Sequence, residues 1–384
     1  MFDLLRKDSA DQVAFYDPGI GTLPGLERES ARLRRLKNVR DEWLGSGLMA
    51  NVGEAYRFLM DCYEPDDRIF LFGFSRGAFT VRALAGMIRS VGLLRKGNET
   101  LLPYARAVVE HMADRHRKSG RQDEEPKDEL AAEFQKYSRA GSVPIAFLGV
   151  WDTVKAYGYL RPEGLPYVRN NDLVEIARHA VSIDEKRPPF QVTGLSDRRL
   201  RQIDLADEQI DRRVQEVWFT GDHSDVGGGH ADDNNILAKA PFDWMLREAR
   251  DADLLIDAGR YAAATGWAVD ECAPLDSPVH DLSRGARAMI YRAPWRDLDN
   301  THFPPERHWR FRGGGRSLLA HTFPDPEWRR LNRATEDSRC PPRVSLHDAV
   351  FERYERGIHR PENLRAVFEG RVELRRVATP VIGA

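Results

Sequence analysis

Cysteine is scarce. Cys62, Cys272 and Cys340 are the only three in 384 residues, odd in number and far apart, so neither a disulfide framework nor a structural zinc motif is visible. A reducing compartment is the default for folding. An excess of one charge sign is also lacking, because 58 Lys and Arg face 60 Asp and Glu for a net of −2. Such a chain is no generic polyanion binder, although it can carry a local basic patch. No apolar run approaches the roughly 20 residues of a membrane-spanning helix. The opening MFDLLRKDSADQVAFYDPG has one short apolar cluster that charges follow at once, which is no signal-peptide pattern. These absences lead to the expectation of a cytoplasmic protein, with export lacking a cleavable signal left open. Phosphate-binding glycine loops are missing too: there is no G-x-x-x-x-G-K-[ST], and Gly19-Ile20-Gly21 lacks the third glycine and helix start of a dinucleotide fingerprint. No nucleotide cofactor is expected, and nucleic acid is not an expected partner.

What is present suits a globular protein, with 41% hydrophobic and 31% charged residues. Three runs, Ile69 to Phe74 (IFLFGF), Val143 to Trp151 (VPIAFLGVW) and Val214 to Phe219 (VQEVWF), predict buried strands. Between and around them, Asn51 to Tyr63, Ala78 to Leu94, Leu101 to His116, Asn171 to Asp184 and Asn234 to Leu254 predict helices. Gln12 to Asp17 (QVAFYD) is a short β-prone run, and Arg117 to Glu129 a polar loop. Alternation of strand and helix implies an α/β fold with a mainly parallel sheet flanked by helices. From about Asp270 the texture changes. Arg284 to Arg376 holds 20 Arg, no Lys and 13 acidic residues, a net of +7. We therefore expect a catalytic core over 1–269 and an irregular, arginine-rich appendage over 270–384. That appendage is either a solvated, ion-paired surface or a face for anionic headgroups or a partner.

The strongest local signal is Gly73-Phe74-Ser75-Arg76-Gly77. G-x-S-x-G is common by chance, but here it joins an apolar strand to an amphipathic helix, the setting of a nucleophile elbow. Glycines at 73 and 77 are expected where a Cβ would collide in so sharp a turn. The turn would lift the Ser75 hydroxyl above the strand ends. The Arg76 amide would face a developing oxyanion, and the glycine turn at Gly19 and Gly21 is the nearest source of a second donor. The plainer reading is a serine that caps a helix.

Serine needs a base. In a parallel sheet the partners should stand at other strand ends, acid before histidine. Asp152 ends IAFLGVW, and His223 follows VQEVWF within the glycine-rich GDHSDVGGG. Asp225 is the reserve orienting carboxylate and His179, on a predicted helix, the reserve base. A buried structural histidine is the simpler reading of His179. No metal is expected; the cluster Asp222, His223 and Asp225 is the only plausible home for one.

Several segments together resemble the DUF2235 family, an α/β-hydrolase-like group related to the type VI secretion phospholipase effectors of the Tle1-like class. Phe15 to Thr22 (FYDPGIGT) is similar to the family's YDPGVGT, Glu54 to Leu59 to its EAYRFL helix, and Leu71 to Thr80 to LFGFSRGAYT. Gly149 to Val154 is similar to GVWDTV, His179 to Arg187 to HALSIDERR, and Gly221 to Gly229 to GxHSDVGGG. Leu346 to Val350 and Arg360 to Leu364 echo its IHxSV and RPxNL segments. The resemblance runs from Gln12 to Leu364. It implies a serine nucleophile with Asp and His partners, and for effector members the hydrolysis of phospholipid acyl esters at a membrane surface. A secretion apparatus and an immunity protein are the implied partners. Family members usually begin with an apolar strand and a CDGTWN-like segment, which is expected to be missing here.

Overall fold

A computed structural model describes residues 1–7, 11–18, 46–119, 128–139, 141–154, 165–169, 171–185, 190, 192–195, 212–230, 235–265, 279–280, 343–358 and 373–377. In chain order the longer elements are α1 (Ser46–Cys62), β1 (Ile69–Phe74), α2 (Arg76–Val91), α3 (Leu102–Ser119), α4 (Glu129–Phe134), β2 (Ile145–Trp151) and β3 (Val174–Ser182). They continue with β4 (Val214–Phe219), α5 (His223–Gly227), α6 (Lys239–Asp251), α7 (Ala258–Thr265), β5 (Arg343–His347), α8 (Asp348–Glu355) and β6 (Glu373–Val377). The six strands form one sheet in the order β1-β2-β3-β4-β5-β6, and every neighbouring pair is parallel.

The apolar runs are strands because both sheet faces are covered. Side chains of β2 divide between two cores: Ile145, Leu148 and Val150 belong with residues of α1 to α4, while Phe147 and Trp151 belong with Trp244 and Met245 of α6, the register shift after Ile145 separating it from Phe147. Gly149 is squeezed between Phe72 and Met245, where an added Cβ would lie 2.7 Å from the Phe72 ring. Parallel register aligns the C-terminal ends of neighbouring strands, so Phe74 of β1 pairs with Trp151 of β2, Trp151 with Ala180 of β3, and Ser182 with Phe219 of β4. The loops that leave these four ends are therefore neighbours, which is where an open parallel sheet carries its site.

Three expectations differ from the structure. Asn171 to Asp184, expected as a helix, contains β3. Val174, Ala177 and Val181 recur at spacings of three and four, and burial on both faces removes the alternation that would have marked a strand. Gln12 to Asp17 joins no ladder among the described residues. The Gln12 amide holds the segment instead, donating to Leu255 O at 2.9 Å and accepting from Leu255 N at 3.1 Å. The third concerns the expected irregular appendage, which supplies β5 and β6 to the same sheet as β1. Arg343–His347 and Glu373–Val377 are short, and arginines interrupt their apolar pattern, so neither stood out. The rest of 270–384 lies outside the described residues, apart from 279–280 and the flanks of these strands.

Candidate active site

Ser75 follows directly on β1 and precedes the first residue of α2. Its backbone has φ 58° and ψ −120°, a conformation that costs a non-glycine residue on the order of 1–3 kcal/mol and that packing must enforce. Part of that enforcement is visible. The Ser75 amide donates to Trp151 O at 3.0 Å, and a Cβ on Gly73 would lie 2.4 Å from Gly77 O. Gly77 differs from expectation, for nothing stands within 4 Å of a Cβ built there, so only Gly73 is sterically required. Ser75 occupies the helix N-cap position yet makes no side-chain capping bond. Its hydroxyl points elsewhere: Ser75 Oγ is 2.8 Å from His223 Nε2.

His223 opens α5, just past the end of β4. Its Nδ1 is 2.6 Å from Asp152 Oδ2. Asp152 is fully buried, follows β2 directly and also has left-handed backbone, at φ 38°. Its amide donates to Ala180 O at 2.7 Å, and its Oδ1 accepts the Ser182 amide at 3.0 Å, which fixes the carboxylate plane. The imidazole lies between two aromatic rings, Phe74 with centroids 4.6 Å apart and Phe190 edge-on at 4.7 Å. Gly227 admits Phe74, since a Cβ there would fall 1.9 Å from that ring. Ser75, His223 and Asp152 are thus brought from three strand ends into one hydrogen-bonded line.

The two reserve residues are elsewhere. His179 lies on β3, not on a helix, and is fully buried. Its Nε2 accepts the Thr153 amide at 3.1 Å and its Nδ1 is 2.6 Å from Glu216 Oε2, so both ring nitrogens are used in holding the Asp152 loop to β4. Burial works against the Glu216 carboxylate, but His179, the Leu195 amide and the charge of Arg82 outweigh it and hold the group below its ordinary range. Asp225 does not orient His223. It receives the Asp222 amide at 2.9 Å, and its Oδ1 is 2.6 Å from His280 Nδ1. Burial, with the charge of Asp222 beside it, pushes the Asp225 carboxyl up against the pull of those hydrogen bonds. Gly19 and Gly21, the expected second oxyanion donors, lie outside the described residues. Arg76 is the first residue of α2, and N–H groups of a first turn have no intrahelical acceptor.

Sequence reasoning missed the segment after β3. Asp184 Oδ2 accepts the Gly221 amide at 2.7 Å, Ser182 Oγ donates to Gly221 O at 2.7 Å, and Glu185 Oε2 accepts the His223 amide at 3.2 Å. These bonds position the loop that carries His223. The signal was present in His179 to Arg187 (HAVSIDEKR), but a helical reading hid that Ser182 closes a strand beside Asp152. His280 and Phe190 lay in segments with no motif of their own.

A parallel α/β sheet whose strand ends gather a serine, a histidine and a carboxylate defines an α/β-hydrolase-like protein. The chain belongs to the family described as type VI secretion phospholipase effector Tle1-like, catalytic domain, whose model matches residues 1–248. A protein of Saccharomyces cerevisiae, Uncharacterized protein YEL023C, is 38% identical over 203 residues, which is 50% of this chain and 28% of the yeast protein. This chain therefore matches less than a third of that relative's length. Solved structures that align with it include a Tle1 effector bound to the VgrG spike of the type 6 secretion system and an uncharacterized protein from Pseudomonas aeruginosa. The first is 17% identical with TM-score 0.24, covering 47% of this chain and 30% of that one. The second is 19% identical with TM-score 0.28, covering 61% and 30%.

Proposed function

We propose that this protein is a serine hydrolase that cleaves carboxylic esters through an acyl-enzyme, with phospholipid acyl esters as its substrate class. The observation that carries the reading is the line Ser75 Oγ, His223 Nε2, His223 Nδ1, Asp152 Oδ2, with links of 2.8 and 2.6 Å. Asp152 accepts a hydrogen bond from the Nδ1–H of His223, which keeps the proton on Nδ1 and leaves Nε2 as the lone-pair nitrogen facing Ser75. Ser75 Oγ attacks the ester carbonyl carbon while its proton passes to His223 Nε2. The imidazolium, steadied by Asp152, then gives that proton to the leaving alcohol oxygen as the acyl–oxygen bond breaks. Water attacks the acyl-Ser75 ester with His223 again as base, releasing the carboxylic acid and restoring the hydroxyl. The Arg76 amide at the start of α2 is the proposed oxyanion donor, and the exposed Arg76 side chain the proposed contact for a phosphate.

The phospholipid class rests on family membership, as does a secretion apparatus as delivery partner. Contact with the bilayer would be peripheral: among the described residues no helix is long and apolar enough to cross a membrane. The test compares release of fatty acid and of water-soluble headgroup from liposomes of defined phosphatidylcholine and phosphatidylglycerol content. Wild type should release fatty acid, and Ser75→Ala should lower that rate by about 10³-fold or more. Fatty-acid release unchanged in Ser75→Ala, or release of headgroup alone, overturns the proposal.

A further inference from the structure

A second set of ligating side chains surrounds Asp225, apart from the Ser75 line. Positions 223 and 225 of α5 are about 200° apart around the helix axis, so while His223 turns to Ser75, Asp225 turns away from it. Asp225 is fully buried and takes no part in holding His223. Around it stand two histidines from different parts of the chain: His280 Nδ1 at 2.6 Å and His230 Nε2 at 3.6 Å, both measured to the same Oδ1. The two imidazoles stack with centroids 3.9 Å apart, which converges their nitrogens on that one oxygen. One ligand atom from each of the three residues lies within 4.8 Å of the others. Ligands held about 2.1 Å from one ion in a tetrahedron are roughly 3.4 Å apart, so the set approaches a coordination sphere once the Asp225–His280 contact opens by about 0.8 Å.

Asp222 supplies an independent observation. It is buried, with 3% of its surface exposed, and its Oδ1 is 3.2 Å from His230 Nε2. That oxygen already accepts the amides of Ser224 and Asp225, but Oδ2 is buried with no hydrogen-bond partner among the described residues. A buried carboxylate with one oxygen lacking a donor is costly, and positive charge held at the adjacent His230 would offset the charge of Asp222.

We propose that Asp225, His230 and His280 bind one divalent transition-metal ion of the zinc class, with Asp222 a neighbouring carboxylate outside the three-ligand set. Two imidazole nitrogens with a carboxylate oxygen suit such an ion, whereas calcium and magnesium prefer all-oxygen shells. The ion would tie the loop bearing His223 to the segment at 279–280. Its role is to position that loop and not to touch substrate. The site stands on its own residues and does not depend on Ser75 being a nucleophile.

The test is calorimetric titration of Zn²⁺ into full-length protein stripped with a chelator, alongside Ser75→Ala, His280→Asn and the double variant His230→Asn/His280→Asn. Circular dichroism confirms that each variant is folded. Wild type and Ser75→Ala should take up one equivalent; His280→Asn should weaken binding at least about tenfold, and the double variant should abolish it. Co²⁺ substituted into wild type should show visible d–d bands that the double variant lacks. Where His230→Asn/His280→Asn does not fold, the single His280→Asn and the Co²⁺ bands of wild type still decide the question. No Zn²⁺ uptake by folded wild type, or equal uptake by a folded double variant, overturns the site.

Discussion

Ser75 and Asp152 both occupy left-handed backbone, at φ 58° and 38°, and both begin the loop at the end of a strand. Strain at two such residues, each carrying a polar side chain into one line with His223, is what a preorganised relay requires. Asp152→Asn can still accept the Ser182 amide through its oxygen, but its NH₂ would face His223 Nδ1 and force the proton onto Nε2. Turnover is expected to fall about 10³–10⁴-fold with little change in fold, read by ester kinetics and far-ultraviolet circular dichroism. His179 illustrates what the sequence could not reveal. A histidine in the middle of an apolar run is compatible with a base or with a structural bridge, and only the strand geometry that places Glu216 opposite it, in register on β4, decides for the bridge. Asp152 and His223 were legible because strand ends are legible, with an apolar run that stops and a polar residue next.

Elements are joined at the elbow by contacts that single substitutions can separate. Gly73→Ala brings a Cβ to 2.4 Å from Gly77 O and should abolish both the turn and activity, whereas Gly77→Ala meets nothing within 4 Å. Because alanine favours a helix by up to about 1 kcal/mol over glycine, Gly77→Ala should leave the melting temperature unchanged or raised. Thermal unfolding of the two variants checks the contrast. Behind the elbow, Arg82 of α2 is buried and donates to Val168 O, Thr193 O and Gly194 O at 2.8, 2.5 and 2.7 Å. Burial draws its guanidinium down to about 9, which leaves it charged at neutral pH. Arg82→Met strands three buried carbonyls and should cost about 3 kcal/mol, read from urea midpoints. Strands β1, β2 and β4 were legible as apolar runs, and α1 and α2 as amphipathic repeats. β3 was not, since a strand covered on both faces loses its period of two and here mimics a period of 3.6.

At the scale of the whole molecule the sheet carries the last two strands in the region where composition had suggested an appendage. Short arginine-bearing strands show no pattern of their own and take their state from the neighbours they pair with. His347, at the end of β5, couples that part of the sheet to pH. It stacks on Phe219 with centroids 4.7 Å apart and accepts the Ala349 amide at the start of α8. Burial draws the imidazole from 6.5 down to about 4, against a smaller opposing pull from Asp348. The unfolded chain therefore binds more protons than the native one between those values. The stability from the neutral ring is full above pH 6.5 and is lost as pH falls toward 4, by about 2 kcal/mol at pH 5. Urea midpoints at pH 7.5 and pH 5.0 should show that loss in wild type and less of it in His347→Asn. The central claim, that the intact fold turns Ser75 into a nucleophile through His223, is tested most directly by reacting the folded protein with a fluorophosphonate and locating the adduct by mass spectrometry. The account predicts one adduct, on Ser75, absent from Ser75→Ala and formed at least about a hundredfold more slowly in His223→Ala. Folded wild type that stays unlabelled, or that is labelled elsewhere with Ser75 intact, would contradict it.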